Sequence, residues 1–244
     1  MRRTKNWSSE YGSILLVTIG TFMGFYCPQP LLVSIAAQSN VSQPAASLLI
    51  TVTIFPFALA PFLYGRLLVR FSLHTILMAS LAGSGASLCF AGLAAPHYPL
   101  MLAARLLQGM LIPGILLCLT SRLSSMFSGR ELQNNMAMYA AMTIIGAYGG
   151  RALSGLLGSL SSVNCALLGF GIIQLCTLLP ARFIKEGSSE DTLGFSFHDI
   201  AQLLRNKHFL IVWLIGPVCI FGYSAVLNFF PFHISSIIQS DSSD

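Results

Sequence analysis

Residues 136–160 read MAMYAAMTIIGAYGGRALSGLLGSL and carry one charge, Arg151. A helix needs about 20 apolar residues to cross the hydrocarbon core of a bilayer, so this stretch predicts a membrane span. Arg151 is the only formally charged side chain in the fifty residues between Glu131 and Arg182. A cation inside a span is costly enough to require a partner, and the identity of that partner depends on the rest of the chain.

The composition extends the reading to the whole chain. Of 244 residues 55% are apolar and 9% charged, with a mean hydropathy of +0.74, whereas soluble domains carry roughly 25% charged residues. The predicted fold class is therefore an all-α polytopic membrane protein. Lys and Arg outnumber Asp and Glu by 13 to 8, but the sole basic cluster is the N-terminal RRTK, too short to track a phosphate backbone, so no nucleic-acid partner is expected. Six cysteines (Cys27, Cys89, Cys118, Cys165, Cys176, Cys219) stand singly in apolar runs, without a C-x-x-C or histidines at ligand spacing. They read as buried thiols, with no metal and no cofactor implied. The N-terminal MRRTKNWSSEYG precedes an apolar run too long for a signal peptide and lacking a small-x-small cleavage site, which predicts an uncleaved first span.

Charges, Pro/Gly and polar clusters divide the chain into seven candidate spans at 12–36, 45–64, 75–95, 99–120, 133–157, 163–180 and 209–230. Arg2, Arg3 and Lys5 precede the first; Arg66 and Arg70 follow the second; Arg122 and Arg130 follow the fourth; Arg182, Lys185, Arg205 and Lys207 follow the sixth. The intervening loops AAQSNVSQ, AAPHYP and SLSS, and the tail, hold no Lys or Arg. Positive loops stay in the cytoplasm, so the N-terminus is expected inside and the C-terminus outside. The domain reading is a six-helix bundle over 1–180, a cytoplasmic central loop over 181–207, and a seventh helix with a short external tail over 208–244. Within that loop SFHD begins like a capping box, and Phe195, Ile200, Leu203 and Leu204 form an apolar stripe. The segment reads either as a helix on the inner membrane surface or as a loop packing on the helix ends.

Only Arg105 and Arg151 among the basic residues fall inside spans. Counting about 1.5 Å per residue puts both, with Gln29, in one layer about 6–8 Å outside the midplane. Each arginine costs about 2.5–3.5 kcal/mol at a helix centre, and no Asp or Glu lies in any of the seven spans. Two readings follow. Gln29, Arg105, Gln108 and Arg151 line a polar cavity that attracts negative charge; or the arginines snorkel to the headgroups or hydrogen-bond between helices. Gly146, Gly150, Ser154 and Gly155 present small residues at which another helix can approach. Pro28, Pro30, Pro56, Pro61 and Pro113 predict kinks, because each withholds an intrahelical hydrogen bond. With no acid pair, metal set or Ser/His/Asp grouping in the spans, no catalytic residue is assigned and an enzyme is not expected.

Four segments carry a family likeness. YCPQPLLVSIA contains Tyr26, Gln29, Pro30, Leu31 and Leu32 in a tyrosine-x-x-Gln-Pro-Leu-Leu pattern; GRLLVRFSLHTIL holds Gly65, Leu67 and Arg70; ARLLQGMLIPG holds Arg105, Gln108 and Gly109; and GAYGGRALSG holds Gly146, Gly150 and Gly155. Together they resemble the N-terminal half of the major facilitator superfamily, especially its bacterial efflux-type members. The resemblance implies a carrier of two six-helix bundles in the inner membrane that works by alternating access and exports a small solute, anionic or amphiphilic. It makes Gly65, Arg70, Gly109, Gly146, Gly150 and Gly155 packing or gating positions. The departures are specific: Val69 replaces the loop aspartate, Ser72 a glycine, Leu73 and His74 an Arg-Lys pair, and Arg151 stands at a proline position. Proton coupling through an intramembrane acid is not expected from these spans. The length admits a carrier whose second half is missing or supplied by a second copy in a homodimer, and alternatively a truncated, transport-inactive product.

Overall fold

Helix breaks follow the prolines. The first expected span is divided in two: α1 (Arg2–Tyr26) stops before Pro28 and Pro30, and α2 (Leu32–Ser39) resumes beyond them. The second is divided at Pro56, where α3 (Gln43–Ile54) passes through the 3₁₀ turn Phe55–Ala58 before α4 (Ala60–Arg70). In both places a missing N–H interrupts the ladder: at CPQP the chain passes through a turn, and at Pro56 the α-helix tightens to 3₁₀. Pro113 behaves differently, since α6 (Tyr98–Met126) runs through it unbroken. There the Tyr64 hydroxyl of α4 donates to Met110 O at 2.9 Å, a side-chain bond in the turn that the proline weakens.

The computed structural model describes residues 2–58 and 60–185, together with the helical positions Ile211, Ile215, Val218, Gly222, Val226, Phe229 and His233. The predicted loop helix near 196–204 and the remainder of the seventh span lie outside the described residues. The described residues are helical with no strand, and the chain divides into two compact units, Met1–Ser189 and Glu190–Asp244.

In the first unit α5 (Leu73–Ala94), α6, α7 (Gly129–Leu160) and α8 (Val163–Cys176) follow, with a last turn α9 (Leu178–Ala181). Serines start the apolar helices: Ser42, Ser72 and Ser162 accept from Ala45 N, Thr75 N and Cys165 N at 3.4, 3.2 and 3.3 Å. Each satisfies one of the N–H groups that a helix start leaves open. Leu73–Ala94, Tyr98–Met126 and Val163–Ala181 are long and apolar enough to cross a membrane, and α7, at 32 residues, extends about 48 Å. The architecture is that of an all-α, multi-pass membrane protein.

α5 packs on α6 and α8, α1 on α7, and α3 on α6. Two apolar clusters fill the interior. One, toward the N-terminal end of α1, joins Ile14, Val17, Leu77, Leu81, Ile115 and Leu119. The other, toward the far end, joins Leu31, Leu49, Leu88, Met101, Leu167 and Phe170. Along α1, α5, α6 and α8 the residues between those clusters include Thr21, Ser84, Arg105, Gln108 and Gln174, all buried. A polar layer thus divides two greasy halves.

Candidate functional site

The layer is built around the end of α1. Pro28 has no N–H to give to Gly24 O, and the Gln29 amide donates to Tyr26 O at 3.2 Å. Carbonyls at a helix C-terminus carry the negative end of the helix dipole and need donors, above all where there is no water. Arg105 supplies them from α6. Its Nη2 donates to Phe25 O at 3.0 Å, its Nη1 reaches Gly24 O at 3.5 Å, and the same Nη1 donates to Gln108 Oε1. Arg105 is 2% exposed and Gln108 fully buried. A hydrogen bond involving a charged group contributes about 1.5–3 kcal/mol, so the bonds to Phe25 O and Gln108 suffice to offset the insertion cost without an acid.

The layer continues into two helices that the sequence reading left out. Gln108 Nε2 faces Gly24 O at 3.4 Å and Gln174 Oε1 of α8 at 3.5 Å, and Gln174 Nε2 donates to Ser84 Oγ of α5 at 2.8 Å. Gln174 is readable in retrospect as the lone amide in the apolar run CALLGFGIIQLC, 165–176.

Arg151 comes to the same break from α7. Its Nε donates to Gln29 Oε1 at 2.6 Å, and its guanidinium carbon lies 4.1 Å from the centre of the Tyr26 ring and 5.9 Å from that of Tyr148. Both distances are within cation–π range. Gln29 is buried, Arg151 half-buried and Tyr148 exposed. Gln29, Arg105, Gln108 and Arg151 therefore all meet at the end of α1 and the turn that follows it, residues 24–29, in two sets: Arg105 with Gln108 on the carbonyls, and Arg151 with Gln29 against Tyr26.

The glycines divide by what lies opposite them. A Cβ on Gly146 would stand 2.6 Å from Ile19 O, and one on Gly150 2.8 Å from Met23 Cα, so α7 rests directly on the backbone of α1. One on Gly109 would stand 2.8 Å from Thr53 Cα, where α6 meets α3. Gly155 faces only Pro30 Cβ, at 3.7 Å. Gly65 lies within α4, and Arg70, in its last turn, is exposed.

At the N-terminal end of α1 an ion pair escaped the sequence reading. Glu10 is 1% exposed, and its Oε1 accepts from Arg122 Nε at 2.7 Å and from the Lys185 amide at 2.8 Å. Beside it His74 Nδ1 hydrogen-bonds to Ile184 O at 2.9 Å. These contacts tie α1, α5 and α6 to the residues after α9. Glu10→Gln keeps the shape and loses the charge, and is expected to cost about 2 kcal/mol, less than the 3–5 kcal/mol of a truncated buried pair. Unfolding by SDS in mixed micelles measures it, and Arg122→Gln should add little once Glu10 is neutral.

Among the described residues no cluster of His, Cys, Asp or Glu could hold a metal. The chemistry on offer is hydrogen bonding and positive charge within a lipid-embedded bundle. A family model described as Major Facilitator Superfamily matches residues 14–241. A Bacillus subtilis (strain 168) protein with the description "Uncharacterized MFS-type transporter YybF" is 27% identical over 217 residues, which make up 86% of this chain and 53% of that relative. The chain thus spans about half the length of the curated relative it matches. With proline-broken helices, the Arg105–Gln108 pair at its position in α6 and a family match over nearly the whole chain, the protein belongs to the major facilitator superfamily.

Proposed function

We propose that this chain forms the solute-handling bundle of a secondary carrier that exports small organic anions or anionic amphiphiles across a bacterial inner membrane, with its N-terminus in the cytoplasm. The observation that carries the reading is the Arg151–Gln29 contact. Family membership supports a transporter rather than an enzyme, and alternating access requires a second bundle against which this one moves. Arg105 serves as a brace, its guanidinium committed to the carbonyls of α1. Arg151 meets the solute. In the state described here its Nε is occupied by a neutral acceptor, Gln29 Oε1. A carboxylate or sulfonate makes a stronger, charge-assisted bond to a guanidinium than an amide does. Gln29 is therefore a placeholder that an anionic solute displaces, with Tyr26 and Tyr148 offering faces to an apolar or aromatic body. The orientation rests on the Lys/Arg bias of alternate loops.

Flux of benzoate and naphthalene sulfonate, with the neutral benzamide as reference, tests this in proteoliposomes. Gln29→Glu, which installs a permanent anion beside Arg151, is expected to lower anion flux at least about tenfold, and Arg151→Gln by a similar factor, the equivalent of one lost charge-assisted bond. Gln29→Ala should lower the KM for the anions. Unchanged anion flux in both Gln29→Glu and Arg151→Gln would remove Arg151 from the solute path.

A further inference from the structure

We infer that Gln174 is a positioning residue for the break in α1: acting through Gln108, it sets the guanidinium of Arg105 on the Gly24 and Phe25 carbonyls and so relays the position of α8 to α1. The directions of the hydrogen bonds carry this. An arginine only donates, so Gln108 must present Oε1 to it. That fixes the flip of the amide, and Gln108 Nε2 must point to Gly24 O and Gln174 Oε1. Gln174 then has its Nε2 left for Ser84 Oγ, where it donates at 2.8 Å. Each amide has a single permitted orientation, and the order is imposed from the Arg105 end and anchored at the Ser84 end. A leucine at 174 removes one of the two acceptors of Gln108 Nε2 and leaves only the 3.4 Å contact to Gly24 O, so the amide that presents Oε1 to Arg105 loses half of its hold.

Gln174 also touches α1 directly. Its Oε1 occupies the place where a side chain on Gly24 would begin, and the Thr177 methyl group stands in the same way at Gly20. The amide is thus wedged between the backbone of α1 and Ser84 of α5, and it is fully buried. Movement of α8 along its axis would carry Gln174 past Gly24 and disturb both the Gln108 amide and the carbonyls it helps to satisfy. The inference does not depend on which solute is carried.

Cys27 reports the state of the break without any solute. It is fully buried, with Sγ donating to Gly24 O at 3.4 Å, whereas Cys118, 1% exposed, donates to Leu73 O in the other apolar cluster. In full-length chains with the other four cysteines changed to serine and reconstituted in liposomes, N-ethylmaleimide labelling is followed by mass spectrometry. Gln174→Leu is expected to speed labelling of Cys27 about tenfold, the factor for one lost buried hydrogen bond, with Cys118 unchanged. Gln174→Glu keeps an acceptor for Gln108, and the Ser84 hydroxyl can turn to donate to it, so labelling should return to within about twofold of the parent. Three results would overturn the inference: no change at Cys27 in Gln174→Leu, an equal rise at Cys118, or Gln174→Glu behaving like leucine.

Discussion

Arg105→Met is expected to destabilise the bundle by about 3–5 kcal/mol, the largest effect of any single substitution in the membrane layer. Methionine fits the volume, and the loss of a buried charge is by itself favourable, so the cost lies in what the guanidinium leaves behind. Phe25 O and Gln108 Oε1 lose donors, and Gly24 O keeps only the long contact from Gln108 Nε2 and the weak thiol donor of Cys27. An orphaned buried polar group costs about 1–3 kcal/mol, and lipid supplies no water to replace the donor. Arg105→Lys retains the charge but replaces a planar fork with one compact ammonium, which cannot serve Phe25 O and Gln108 together in the same geometry. It should recover about half of the loss. SDS unfolding in mixed micelles measures both, and an Arg105→Met protein as stable as the parent would mean that these contacts contribute nothing.

Gly109→Ala should cost about 3 kcal/mol and Gly150→Ala about 2 kcal/mol, whereas Gly155→Ala should be neutral or stabilising by up to about 1 kcal/mol. The opposite signs follow from what each new methyl group meets. At Gly109 and Gly150 it meets the backbone of Thr53 and Met23, which cannot rotate aside, so α6 must part from α3 and α7 from α1. At Gly155 the nearest atom is a proline side chain at 3.7 Å, an ordinary contact, and alanine is the better helix former. Gly150→Ala should also weaken anion flux, because parting α7 from α1 lengthens the reach from Arg151 to Gln29. Equal losses at all three glycines would point to helix flexibility rather than close approach.

Part of the candidate site's layout is legible in the sequence. CPQP marks where α1 is interrupted, since two prolines two residues apart withhold two N–H groups, although the sequence predicts a kink within one span and the structure has a full break. Counting residues along each span brings Gln29, Arg105 and Arg151 to one depth, and Arg105 and Gln108, three apart, share a helix face. The partners of Arg105 were not legible, because they are backbone carbonyls and a sequence distinguishes residues only by side chain. The same limit hid the choice between a cavity and an interhelical bond: Arg105 lies on α1 because Pro28 empties Gly24 O, a consequence that appears only when α6 is set beside α1.

Glu10 was missed for a different reason. Hydropathy places the start of the first span at the last charge, so Glu10 reads as a solvated loop acid, and Arg122 as a loop cation. The helices run on past the apolar core: α1 begins at Arg2 and α6 ends at Met126. Both residues therefore lie on rigid elements that meet, and a carboxylate 1% exposed is the result. Gln174 needed only the question asked of Arg151 at the outset, why one polar group stands in an apolar run.

The most direct test of the claim that Arg105 substitutes for donors withheld by the prolines is a double-mutant cycle for unfolding in mixed micelles, combining Arg105→Met with Pro28→Ala and Pro30→Ala. Alanines at 28 and 30 restore N–H groups that can close the ladder onto Gly24 O and Tyr26 O, so the methionine should cost at least about 1 kcal/mol less in that background than in the parent. Strict additivity, with Arg105→Met equally costly whether or not the helix can be mended, would contradict it.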